Sequence, residues 1–235
     1  MAIFDTSKTY FDIVDWRTQD FTIFDNAQIL DWDDNVSFVS NISTSGSNNE
    51  VKPVDNSIKI VTETNGTITL GRKTYNAWSD MDLEKFLKSH IANKIGSTMT
   101  STLLREILSN SAVQSNASFG NAMKLIDTRY WRRNAMKLIL PIDSDNYDYG
   151  TGKYKGIDTI YSTYLASIAT RTDVKEMGGI ILNTDNIFVQ QYPSNGLKLL
   201  EEESALNSYM KWSYRYKFKV GIIDSKSLVK FNMRY

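Results

Sequence analysis

Cysteine is absent from the 235 residues. That removes disulfides, thiolate nucleophiles and Cys-based zinc sites from consideration. The single histidine, His90, has no second imidazole with which to build a catalytic pair or a metal cluster. It reads as a solvated or packed helix residue. An excess of either charge is missing too, since 27 Lys and Arg balance 27 Asp and Glu. No net field therefore draws the chain to nucleic acid or to an anionic membrane. No apolar run approaches the ~20 residues that span a bilayer. The opening MAIFDTSKTYFDIVDW has neither the basic nor the apolar region of a secretory signal. The expectation is a soluble protein made in a cytosol. With few breakers (12 Gly, 3 Pro) and 41% hydrophobic residues, the composition is globular. The length suits one large domain or two small ones.

Near the C-terminus stands YMKWSYRYKFKVG, residues 209–221. Met210, Trp212, Tyr214, Tyr216, Phe218 and Val220 alternate with Lys211, Ser213, Arg215, Lys217 and Lys219. A strand sends alternate side chains to opposite faces, so this is one long strand with an apolar face and a cationic face. The zero net charge conceals an asymmetry. Residues 1–34 hold eight Asp against Lys8 and Arg17, and residues 211–235 hold seven Lys or Arg against Asp224. The two ends are complementary, within one chain or between neighbours.

The first 34 residues interleave aromatics and acids without a clean period, which suits an arm laid over another surface. Residues 40–57, SNISTSGSNNEVKPVDNS, read as a polar loop. In SIKIVTETNGTITLGRK, β-branched runs flank Asn65-Gly66, the pair that favours a two-residue turn, so a β-hairpin is expected. Ser79 then has the place of a helix N-cap, with an acid three residues on. Leu83, Leu87, Ile91, Ile95, Met99, Leu103 and Ile107 recur every four residues behind it. That predicts an amphipathic helix of about 30 residues, a packed spine. Residues 118–143 read as a helix and a short buried strand, Lys137–Leu140, ending at Pro141. Residues 157–169 read as helix, 178–193 as short strands, and KSLVKFNM as a last strand returning after Gly221. No internal repeat is visible. Such an order indicates an α+β fold, divided into an arm and loop (1–56), an extended hairpin (57–78) and one mixed unit (79–235).

Little of this carries chemistry. GTGKYKG, residues 150–156, lacks the first glycine of a phosphate loop and has Tyr154 where a hydroxyl must meet magnesium. Asp143, Asp145 and Asp148 cluster without EF-hand spacing. The Glu201–Glu203 run reads as a solvated face, and in YWRRN Trp131 reads as core. Neither GxSxG nor GxGxxG occurs. No catalytic, cofactor-binding or metal site is assigned, and no cofactor is expected.

A long capped helix behind a hairpin, an arm, and no active site point to an assembly protein. The stretch TNGTITLGRKTYNAWSDMDLEKFLKSHIANKI, an extended loop running into a spine helix, resembles the major capsid proteins of tailed phages. So does YMKWSYRYKFKVGIIDSKSLVKF as the closing strands. These share the Hong Kong 97-like fold with encapsulins. The resemblance implies that fold, with N-terminal arm, extended β-hairpin, long spine helix and C-terminal antiparallel strands. It implies a shell-forming, non-enzymatic virion protein made in the bacterial host cytoplasm. Its partners would be copies of itself, portal, scaffold and adaptor proteins, with weak, non-specific contact to packaged DNA and no membrane. Candidate subunit-interface residues are Trp16, Phe24, Trp32, Asn65, Gly66, Lys211, Arg215, Lys217 and Lys219. The alternatives are a head–tail adaptor, ring or tail-tube subunit, a metal-assisted enzyme using Asp143, Asp145 and Asp148, and a glycan-binding domain built on its 13 Tyr and 5 Trp.

Overall fold

The computed structural model describes residues 22–39, 41–45, 50–71, 74, 79–116, 118–132, 134–141, 152–169, 178–192, 200–204 and 209–231. In chain order the first strands are β1 (Gln28–Leu30), β2 (Asn41–Ser45), β3 (Glu50–Val54) and β4 (Ile58–Gly71), followed by helix α1 (Asp80–Ser109). Next come β5 (Ser115–Asn116), the short helix α2 (Phe119–Met123), β6 (Met136–Pro141), β7 (Lys153–Tyr154), β8 (Ile157–Ser162) and α3 (Thr163–Ala169). The chain closes with β9 (Gly179–Asn183), β10 (Ile187–Gln191), β11 (Leu200–Ser204), β12 (Tyr209–Ile222) and β13 (Leu228–Phe231).

The spine helix forms as its sequence requires. Ser79 is extended, and its Oγ accepts the Asp82 N–H while donating to the Asp82 carboxylate at 2.6 Å. One orphan N–H of the first turn is thereby satisfied, and the hydroxyl is held in place by the carboxylate. Thirty residues at ~1.5 Å each make a rod ~45 Å long. All seven apolar residues of the fourfold stripe are buried. At the far end, the Lys230 ammonium donates to the Leu108 and Asn110 carbonyls at 3.1 Å each, a cation at the negative pole of the helix.

The helix packs on β4 and β12, which pair antiparallel over all fourteen residues of each. The other edge of β12 is shared, by β11 along Tyr209–Ser213 and by β10 along Phe218–Ile222. β1 adds to β10 in parallel. Trp212, Tyr214, Tyr216, Phe218, Val220 and Ile222 are buried in one core with the stripe of α1, so the alternation in the sequence is the alternation of this sheet. A second sheet runs β5-β13-β9-β6-β8-β7. α2 and the ring of Phe231 cover part of it.

The two sheets meet where β9 passes into β10 and β12 into β13. Polar groups close this corner. Thr184 donates twice to the Ala135 carbonyl, and Ile223 N–H donates to Asn186. The fully buried Asp224 accepts the Tyr130 hydroxyl and the Lys226 N–H. No buried carboxylate is tolerated without such donors.

Several expectations are corrected here. Asn65-Gly66 is no turn. Residues 58–71 form a single strand, with Asn65 opposite Arg215 and Gly66 opposite Tyr214. Gly66 is not among the residues of positive φ. A Cβ built on it would lie 2.5–2.8 Å from the Tyr214 ring, so the glycine is there to let that ring lie over the strand. The hairpin exists one step earlier, where β2 and β3 pair through the stretch expected to be a loop. The helix expected ahead of the buried strand at 137–140 shrinks to Phe119–Met123, while that strand is present as β6, and Ile157–Ser162 is strand rather than helix. β12 runs through Gly221 to Ile222, and β13 pairs with β9 and β5 instead of with β12.

Candidate assembly surface

The cationic face of β12 points away from α1. Cross-strand partners share a face, so Lys219 stands in one row with Gln190, Leu30 and Val61, and Lys217 stands beside Glu63. Residues 31–39 cross this face as a strap. Gln190 Nε2 donates to the Asp31 carbonyl at 2.6 Å, and Lys219 Nζ donates to the Asp33 carbonyl. The Trp32 ring is met by Lys219 Nζ at 4.8 Å and Lys217 Nζ at 5.4 Å, with the Tyr192 ring edge-on at 4.9 Å. Further along, Lys59 Nζ donates to Val36 O, and Phe38 packs on Phe188 at 4.8 Å. Asp55 fastens the end of the strap by accepting from Phe38 N–H and pairing with Lys59 at 2.7 Å. Partial burial pushes the Asp55 carboxyl up, but Lys59 and Ser57 together hold it down at about 2.

Among the described residues, the end of the acidic segment meets the cationic strand within one chain, through the Asp33 carbonyl and the Trp32 indole ring. Lys219 is 4% exposed, with its charge spent on a carbonyl and a ring face. Such contacts are worth ~0.5–2 kcal/mol, more where water is excluded.

Phe24 is fully buried in the chain's own core, which corrects its reading as an interface residue. Trp32 is half-buried under the contacts above, and Trp16 lies outside the described residues. Gly66 is half-covered by the Tyr214 ring. Asn65 and Arg215 are exposed on the strap-free half of the β4–β12 ribbon, with Lys211 half-buried near its end. Arg215 grips Glu63 with two bonds of 2.8 Å, and the guanidinium holds the Glu63 carboxyl below its usual range. Tyr192, Gln190 and Lys59 were not singled out from the sequence. The alternation Phe188, Gln190, Tyr192 marks the face they occupy once β10 is placed beside β12.

Elsewhere among the described residues, an open pocket of about 370 Å³ is lined by Asn26, Arg132, Asn134, Ala135 and Asp185, with Arg132 and Asp185 paired at 3.5 Å. His90 is exposed, its ring 6.0 Å from Phe86. Among the described residues no group of three or more His, Cys, Asp or Glu is placed to hold a metal. Asp143, Asp145 and Asp148 lie outside them. No helix among those residues is long and apolar enough to cross a membrane.

No protein-family model matches the chain, and no curated protein matches its sequence. Solved structures do resemble it. The capsid chain of an empty GTA particle superposes with a TM-score of 0.60 at 10% identity, over 92% of this chain and 91% of that one. A chain of the satellite phage P4 procapsid gives 0.57 at 10% identity, over 97% and 89%. The chain has the Hong Kong 97-like fold. A virus-like particle from Pyrococcus furiosus matches at 0.51 and 11% identity, over 94% of this chain and 97% of that one.

Proposed function

We propose that this chain is a shell-forming subunit, the major capsid protein of a tailed phage, which assembles with copies of itself around a genome. The observation that carries the reading is coverage. Chains from capsids and a procapsid share its fold from end to end, so neither partner of the comparison has a large domain left over. The surface agrees with it. The described polar clusters fasten strands and corners to one another, as a structural role requires.

Among the described residues, the β2–β3 hairpin and the strap-free half of the β4–β12 ribbon are the parts proposed to meet a neighbour. Asn65, Arg215 and Lys211 are the residues of that half proposed to meet another copy, and Trp16 is proposed to do so from the arm. Weak contacts suffice, because every subunit of a closed shell is held by several neighbours. Portal, scaffold and adaptor proteins are its proposed further partners, the virion its destination and the bacterial cytoplasm its place of synthesis. Sedimentation of the purified full-length chain, with and without co-expressed scaffold, tests this. Capsomers of five and six copies or larger shells support it. A ring of some other fixed order makes the chain an adaptor, and a monomer or dimer under both conditions overturns the reading.

A further inference from the structure

The seat that holds the strap reads a short sequence. Ile29 and Leu30 pair with Val189 and Gln190 at the edge of β10, Asp31 offers its carbonyl to Gln190, and Trp32 fills the space between Lys217, Lys219 and Tyr192. The same four-residue pattern stands once more in the chain. Ile13-Val14-Asp15-Trp16 repeats Ile29-Leu30-Asp31-Trp32 sixteen residues earlier. At four residues this is a short internal repeat, which corrects the expectation that the chain has none.

The spacing is as informative as the match. Phe24, fully buried, lies eight residues after Trp16 and eight residues before Trp32. The eight residues from Phe24 to Trp32 already bridge the distance between that anchor and the seat. With Phe24 unmoved, Ile13–Trp16 can lie parallel to β10 as Ile29–Trp32 do, and the eight residues from Trp16 to Phe24 then span the same distance in return, turning back to the anchor.

We propose that Ile13–Trp16 is a second ligand of this seat, so that one chain has two settings. With the strap down, residues 29–33 occupy the seat. With the strap up, residues 13–16 of the same chain replace them, and residues 29–39 are freed together with the hairpin that follows. The contacts that matter are ones the second segment can make. Asp31 and Asp33 bind through their backbone carbonyls, which Asp15 and Arg17 also possess. Val14 is a better strand former than Leu30.

Three further contacts favour the strap-down setting. Lys59 holds Val36 O, Phe38 packs on Phe188, and the Asp34 carboxylate accepts the Trp32 indole N–H. Arg17 also brings a positive charge towards Lys217 and Lys219, where Asp33 brings a negative one. The strap is therefore down at rest. Because Val39 is separated from β2 by a single residue, whatever grips the β2–β3 hairpin pulls directly on the strap.

The absence of cysteine makes the test clean. Val61 is 52% exposed in the Lys219 row, so Val61→Cys places a thiol beside the seat. In full-length protein treated with a short bis-maleimide, Asp33→Cys with Val61→Cys should crosslink within the chain, and Arg17→Cys with Val61→Cys should not. Adding Trp32→Ala should switch on the second crosslink, and adding Trp16→Ala as well should abolish it. In a second measurement that needs no strap variant, a synthetic peptide of residues 9–19 should reduce the Asp33–Val61 crosslink. The same peptide with Trp16→Ala should leave it intact. Failure of the peptide to compete, a crosslink indifferent to Trp16, or one formed only between chains would overturn the proposal. Assembly is scored separately by sedimentation, so neither result bears on the capsid reading.

Discussion

Gly66→Ala is the substitution on which the two readings of residues 58–71 disagree most. In the structure an added Cβ meets Tyr214 Oη at 2.5 Å, Cζ at 2.6 Å and Cε1 at 2.8 Å. The ring belongs to a buried side chain in the β12 row that faces α1, so it cannot simply swing out. Overpacking of this kind costs about 1–3 kcal/mol. Replacing glycine by alanine within a strand otherwise gains about 0.5–1 kcal/mol. The net expectation is a loss of about 1–2 kcal/mol, or a fall in Tm of roughly 2–8 °C at about 2–4 °C per kcal/mol for a chain of this size. In a Tyr214→Ala background the obstacle is gone, and the same change should stabilise by about 0.5 kcal/mol. Urea midpoints of the four proteins at unchanged m give the coupling. A glycine needed for a turn with positive φ would be harmed equally in both backgrounds. Equal losses, or no loss in the wild-type background, would refute the account of this strand.

The remaining predictions concern the strap, the corner and the ribbon. Lys219→Met removes the donor to Asp33 and one of the two cations on Trp32, and amide exchange across residues 31–39 should quicken by about tenfold, the equivalent of ~1.4 kcal/mol. Burial, and then the hydrogen bond to Asp224, raise the Tyr130 hydroxyl well above the usual tyrosine range. A pKa raised on folding gives stability that is complete below about pH 10 and is lost above it as the unfolded chain ionises. Tyr130→Phe should therefore lower stability at neutral pH by about 1–3 kcal/mol, the cost of a buried acceptor losing its donor. It should also flatten the alkaline fall in a urea titration series. Arg215→Glu should leave the Tm of the unassembled chain nearly unchanged, since exposed pairs contribute little, while abolishing shells in sedimentation. A large loss of Tm would place Arg215 in folding instead.

What the sequence revealed followed from periodicity. The spine helix was legible because its apolar residues recur every four positions for seven repeats, and β12 because six large apolar residues alternate with cations. Misreadings arose where the deciding partner is distant. Asn65-Gly66 carries a strong local turn signal, yet Tyr214, 148 residues away in sequence, decides the backbone there. The real hairpin at 41–54 is built of Asn, Ser and Thr with little apolar alternation, so nothing separated it from a loop. β13 looked like the return of β12, but Asp224 and the turn at Ser225–Ser227 carry it into the other sheet. Of the candidate site, Trp32, Lys217 and Lys219 were named and do come together. Gln190 and Tyr192 were not, because only the β10–β12 register brings them under the strap.

Negative-stain electron microscopy of the purified full-length protein, alone and with co-expressed scaffold, tests the central claim most directly. The account predicts closed shells of uniform size, with free five- and six-copy capsomers where closure is incomplete. A field of monomers or dimers in both samples would contradict it.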